Sequence, residues 1–310
     1  MSCFSNGVGF CSGGAAALRG VDSAMPDGAE SYAVFPGITL IFNRFAECAG
    51  GDLPGGGAGI LLIDHCRGGR VEYAAGGALC FLAAGDLLIS QPETTARAAG
   101  FPQRCYDGIT IRIDVAAAPA CLSCLLDDVE VSPAHLAEKF CGGGRAFVAR
   151  SDASIEHIFS ELYAVPLEIR KGYFKVKILE LLLFLRALDV KKNETDTHIL
   201  SPSQLALARE VCAYLTARMD ERITLDMLAR AFHVSGTSIK NSFKAVYGTS
   251  LYAYIRAQKM QAAAKRLAET ERSVLEIAGD FGYDNASKFA KAFRDAFGVT
   301  PGEYRRRGGS

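Results

Sequence analysis

Residues 277–305 read IAGDFGYDNASKFAKAFRDAFGVTPGEYR, and the spacing of their apolar and turn-forming residues decides the fold of the C-terminal third. Just before them, Ser273-Val274-Leu275-Glu276 has the form of a capping box. In such a box the serine hydroxyl accepts the glutamate N–H and the glutamate carboxylate accepts the serine N–H. Ile277, Ala278 and Phe281 then recur at helical spacing, and Gly282-Tyr283 supplies a turn that ends this helix. Asn285 is suited to cap a second helix, whose inward stripe is Phe289, Phe293 and Phe297. Ala286, Ser287, Lys288 and Lys291 fall on its outer face, with Arg294 towards the far end. Gly298 and Thr300-Pro301 close the unit ahead of Tyr304-Arg305. A short helix, a tight turn and a second helix with a basic outer face form a helix-turn-helix pattern.

An earlier copy of the pattern runs from Ile223 to Gly248. Thr224 can cap a helix carrying Leu225, Leu228, Ala229 and Phe232; His233-Val234 makes the turn; Ser235 caps the next helix. There Ile239, Phe243 and Val246 point inward, while Thr237, Lys240, Asn241 and Lys244 point outward. Asparagine can pair bidentately with adenine, and lysine reaches guanine or phosphate. A helix before this unit carries Leu205, Ala208, Val211, Cys212, Leu215 and Met219 on one stripe. Between the two units the pattern predicts one long helix from about Leu251 to Leu267. At 1.5 Å per residue that helix spans roughly 25 Å, which with its flanking turns brings the two units close to one DNA turn, roughly 34 Å, apart.

The chain has 310 residues and a formal net charge of zero, but the charge is unevenly placed. Residues 203–310 hold 17 Lys+Arg against 11 Asp+Glu, a net +6, and the remainder hold 17 against 23, a net −6. The basic part can neutralise phosphates, and the acidic part is repelled by them. No apolar run reaches the roughly 18 residues that a membrane helix requires, and the N-terminus lacks the form of a signal peptide. These features point to a cytoplasmic protein without a membrane partner.

Length gives a prior of two domains. Residues 1–30, rich in Gly, Ala and Ser, read as a poorly ordered lead-in. A β domain is expected over 31–150, and from Tyr32 to Val115 short strands are broken by glycine turns. Ile38–Phe42 and Ile60–Ile63 are candidates, and Ile109, Ile111 and Ile113 alternate with Thr110, Arg112 and Asp114 as in a half-buried strand. Gly76-Gly77 and Gly85-Asp86 stand where turns are needed. Strands at this spacing suggest a sandwich or barrel. Ser132-Pro133 opens a short helix to Phe140, and Gly142-Gly143-Gly144 breaks it. In 151–190 one helix has Ile155, Ile158, Phe159 and Leu162 on one face. The next, around Tyr173 to Leu188, is apolar on nearly every side, which calls for packing on the β domain, association between subunits, or both. The polar stretch 191–203, ending in Ser201-Pro202, reads as a linker to a domain over 204–307.

Ten cysteines invite a disulfide or metal reading, but only Cys121 and Cys124 are closely spaced and no second pair follows, so most read as small buried apolar residues. The most chemically loaded stretch of the β region is Ile63-Asp64-His65-Cys66-Arg67-Gly68-Gly69-Arg70-Val71-Glu72. With one local histidine it lacks the several imidazoles a transition metal prefers, so no metal or other cofactor is expected. Its arginines and Glu72 could hold an anionic or polar small molecule. Nothing in the sequence names such an effector.

Residues 205–307 resemble the DNA-binding domain of the AraC/XylS family of bacterial transcription regulators, and Ile277 to Tyr304 carry that family's signature. The resemblance implies a seven-helix domain on double-stranded promoter DNA, more often activating than repressing, with RNA polymerase as partner if it activates. It implies a cupin-like β-barrel and a helical dimerisation region before it, hence an α+β multidomain homodimer. The family's base-contacting slots fall on Thr237, Lys240, Asn241, Ala286, Ser287, Lys288 and Lys291. Ala286 can offer only an apolar contact there. The expectation is a signal-responsive regulator and not an enzyme. Two rivals remain: a thiol-based redox sensor using Cys121 and Cys124, and an alkyl-accepting DNA-repair enzyme fused to the same DNA-binding domain. The latter lacks its N-terminal four-cysteine cluster here.

Overall fold

The computed structural model describes residues 28–45, 57–75, 78–92, 95–122, 130–193 and 200–308. These fall into two compact units that separate at Leu200.

The N-terminal unit is built on antiparallel strands: β1 (Gly28–Phe35), β2 (Ile38–Phe45), β3 (Ile60–Ala75), β4 (Ala78–Ala83), β5 (Asp86–Ser90), β6 (Thr95–Gly100), β7 (Tyr106–Asp114) and β8 (Phe147–Arg150). The main path is β1-β2-β7-β3-β5-β8, with β4 and β6 pairing the far half of β3. Strand β3 therefore serves two sheets. Its register against β7 shifts between Cys66 and Gly68, and Gly69 at φ +80° passes so close to the Cys105 carbonyl that a Cβ would stand 2.3 Å from that oxygen. That bulge is where β3 turns from one sheet into the other. Among the described residues β1 and β8 are not paired, so the sheet is antiparallel but not closed into the expected barrel.

Strand alternation splits the side chains between two clusters. Leu61, Ile63, Ile109, Ile111 and Ile113 face the helices, while Cys66, Leu88 and Tyr106 join Tyr73, Leu82 and Phe101 on the other side. Thr110 corrects the half-buried reading of its strand: it is wholly buried, donating to Asp64 (2.5 Å) and accepting from Asn43 Nδ2 (2.9 Å). A buried carboxylate is tolerable only when so bonded. Strand β1 starts at Gly28, inside the expected lead-in. Gly76-Gly77 lie outside the described residues, between the paired Ala75 and Ala78, and Gly85 makes its turn at φ +82°.

Helix α1 (Pro133–Cys141) starts at the Ser132 cap and ends at Gly142. Helix α2 (Ala153–Leu162) buries Ile155, Ile158, Phe159 and Leu162, and α3 (Arg170–Ala187) buries Phe174, Ile178, Leu181, Leu182 and Leu185 in the same core as the strands. The α3 helix is thus covered largely by its own β domain, while Val176 (62% exposed) and Phe184 (39%) remain outside that core. A further turn, α4 (Val190–Asn193), overlaps the start of the expected linker.

The C-terminal unit contains α5 (Pro202–Thr216), α6 (Leu225–Phe232), α7 (Gly236–Tyr247), α8 (Leu251–Glu269), α9 (Val274–Gly279), α10 (Ala286–Phe297) and α11 (Pro301–Gly308). Ser201-Pro202, read as the end of the linker, instead opens α5 through a Ser201–Gln204 capping box. None of the helices described is long and apolar enough to cross a membrane.

Candidate nucleic-acid interface

Each recognition helix is set by its caps. Thr224 accepts from the Met227 N–H at 3.3 Å and starts α6. His233 then takes a left-handed conformation, φ 54°, which breaks the chain direction before Ser235 caps α7. In the second unit Ser273 and Glu276 close the expected box around α9. Asn285 Oδ1 accepts from the Ser287 and Lys288 N–H groups at 2.7 and 3.3 Å and starts α10. Gly248 (φ 71°) and Gly298 (φ 76°) end the two helices in the left-handed region that favours glycine.

These caps fix which face turns inward. Ile239, Phe243 and Val246 of α7 are buried, as are Phe289 and Phe293 of α10; Phe297 is half-buried against Phe293 and Tyr304. The opposite faces carry Thr237, Lys240, Asn241 and Lys244 on α7, and Ala286, Ser287, Lys288, Lys291 and Arg294 on α10, all exposed. Among the described residues no salt bridge holds Lys240, Lys244, Lys288 or Lys291. Much of the remaining positive charge is spent within the domain. Arg256 pairs with Asp295 at 2.6 Å, Arg272 with Asp280 at 2.6 Å, and Arg266 also reaches Asp280. Hydrogen bonds from these arginines, Arg272 first, hold the Asp280 carboxyl below its usual range. Arg305 donates to the carbonyls of Leu267 and Arg272. Counting charges in the sequence credits all of them to a partner, whereas the fold leaves the lysines of α7 and α10 free for one.

Gly282 departs from its expected role. Helix α9 ends at Gly279, and Gly282 lies beyond it at φ +73°, in the turn leading to α10. Helical spacing gave no sign of its neighbour, the Asp220 carbonyl.

The loaded stretch of the β region is not one cluster. His65 is buried, its ring stacked on Phe159 (4.1 Å) and its Nε2 2.8 Å from Glu156, whose carboxyl that hydrogen bond lowers. Arg67 lies over the Tyr163 ring and 3.7 Å from Asp107; Arg70 lies over Phe81. Among the described residues no His, Cys, Asp or Glu cluster could hold a metal ion. Cys66, Cys80, Cys141 and Cys212 are buried thiols, as expected of most of the cysteines, whereas Cys105 is disulfide-bonded. Cys124 lies outside the described residues.

Two capped helix pairs with buried aromatic stripes and basic outer faces define a double helix-turn-helix protein. A family model described as a helix-turn-helix domain matches residues 228–307. Regulatory protein SoxS of Escherichia coli is 30% identical over 105 residues, covering 34% of this chain and 98% of SoxS. The right origin-binding protein of Escherichia coli is 33% identical over 103 residues, and the chain spans only 36% of its length. Among solved structures, the C-terminal domain of AraT, a response regulator from Geobacillus stearothermophilus, is 32% identical with a TM-score of 0.32, covering 35% of this chain and 87% of that one. The chain belongs to the AraC/XylS family of transcription regulators.

Proposed function

We propose that this chain is a sequence-specific DNA-binding transcription regulator that lays α7 and α10 in successive major-groove segments. The observation that carries the reading is the paired arrangement of exposed Lys240, Asn241 and Lys244 on one helix and Lys288 and Lys291 on the other, the first backed by buried Ile239, Phe243 and Val246 and the second by buried Phe289 and Phe293. Helix α8 has 19 residues, about 28 Å of rise, which suits readers one DNA turn apart. In this reading Thr237, Ser287 and Arg294 add base or phosphate contacts, and Ala286 offers a methyl contact. The test is binding of the full chain to duplexes selected from a random pool, with Lys240→Ala and Lys291→Ala weakening specific binding by about 1–3 kcal/mol each. Failure to select any duplex overturns the reading.

By the same reading the protein acts in the cytoplasm as an activator touching RNA polymerase, and not as an enzyme. The N-terminal unit is a cupin-like sensor for a small-molecule effector, and the protein works as a homodimer. Support for the dimer is the exposed apolar edge of α3, Val176 and Phe184. A second reading, a thiol-based redox-sensing regulator, draws support from the disulfide at Cys105. A mobility shift on non-reducing gels that disappears in Cys105→Ser supports it.

A further inference from the structure

The loop that leads into the first helix-turn-helix unit meets the second unit at a point away from both recognition faces. The loop between α5 and α6 places the Asp220 carbonyl against the turn of the second unit: a Cβ at Gly282 would stand 2.7 Å from that oxygen. At φ +73° Gly282 is also in a conformation that side-chain-bearing residues avoid. Next to Asp220 in the chain, Met219 packs into the core of the second unit formed by Met260, Ile277, Phe281, Phe289 and Phe293. From α8, the Lys259 ammonium donates to the Phe281 carbonyl at 2.9 Å and lies 3.7 Å from the Gly282 Cβ position. The loop between α5 and the first unit, the connecting helix and the turn of the second unit are therefore tied at one place.

We propose that this junction sets the register between the two recognition helices, making Gly282, Lys259 and Met219 positioning residues that determine which half-site spacing is read. The inference rests on the DNA-reading function above. Two heads on a stiff connection gain a high effective concentration at one spacing and lose it at others, whereas a loose connection gains less and tolerates more. One inserted base pair moves a half-site by about 3.4 Å along the axis and about 34° around it, a mismatch only a fixed junction would feel strongly. None of these three residues lies on the outer face of α7 or α10. Each unit alone should keep its affinity when the junction is loosened.

The experiment uses the full chain and a duplex selected by it from a random pool. The same duplex with one or two base pairs inserted between the half-sites, and duplexes with either half scrambled, complete the set. For the unaltered chain a one-base-pair insertion should cost at least about tenfold in affinity. Lys259→Met, which keeps the aliphatic stem and removes the bond to Phe281, should bind the selected duplex about tenfold more weakly yet lose little more on insertion. Its affinity for each single half-site should match that of the unaltered chain. Gly282→Ala should act in the same direction and more strongly. If Lys259→Met remains as strict about spacing as the unaltered chain, the junction does not set register. If single half-site binding falls as much as full-site binding, the residues only hold the second unit together and the proposal fails. If the unaltered chain selects no duplex, it is the DNA-reading function that fails, a result distinct from either.

Discussion

Arg256 on α8 donates to Asp295 on α10 at 2.6 Å, so the connecting helix holds the second recognition helix by an ion pair as well as by packing. Both side chains are about half exposed, at 50% and 51%. Water and salt screen such a pair, and its worth is about 0.2–1 kcal/mol. Arg256→Ala should lower the stability of the C-terminal unit by no more than that in urea unfolding. A larger drop means the pair is coupled to the core.

The core itself is far more sensitive. Phe293 is wholly buried among Phe289, Phe297 and Tyr304. Phe293→Ala should cost about 3–5 kcal/mol. Lys240→Ala and Lys291→Ala should leave the unfolding midpoint unchanged within about 0.5 kcal/mol. Thermal unfolding of the three variants decides whether the helix faces are assigned correctly.

Binding to duplex DNA should weaken steeply with salt. With roughly 6–10 phosphate contacts, affinity should fall by about 10³–10⁵ between 50 and 200 mM salt. Because Arg256, Arg272 and Arg305 are engaged within the domain, their replacement should change this slope less than replacement of Lys240 or Lys288. Titrations across a salt series measure both.

Two neighbouring residues of α3 should part company on substitution. Leu182 is wholly buried in the shared core, so Leu182→Glu should unfold the N-terminal unit. Phe184 is 39% exposed, so Phe184→Glu should leave the fold intact and shift the protein towards monomer. Circular dichroism and sedimentation read the two effects separately; a Phe184→Glu dimer of unchanged strength removes α3 as the interface.

Acid should loosen the contact of α2 with the sheet. The hydrogen bond with His65 holds the Glu156 carboxyl below its usual range. The unfolded carboxyl titrates near about 4.3, so the stabilisation is full above that pH and is lost as pH falls through the depressed folded value. Glu156→Gln should flatten the stability profile in that acid window and leave the neutral-to-alkaline limb unaltered. Unfolding midpoints between about pH 3 and 7 test it.

The helices of the C-terminal unit were legible because their signals are local. Ser235, Ser273 and Asn285 cap the helices that follow them, and the phenylalanine spacing in α10 places its buried face, all within a few residues of chain. The sequence by itself thus determined two helix-turn-helix units and their outward lysines, since helical periodicity and capping depend on neighbours three or four positions away. Only the tertiary structure decided what depends on residues far apart. Thr110 is buried because it meets Asp64 and Asn43 from two other strands. Leu182 belongs to the core because the sheet covers it. Arg256 serves the fold because Asp295 lies beside it. Gly282 must be glycine because a carbonyl from the α5–α6 loop comes against it. No periodicity encodes which distant backbone approaches which turn; packing of the whole chain fixes that.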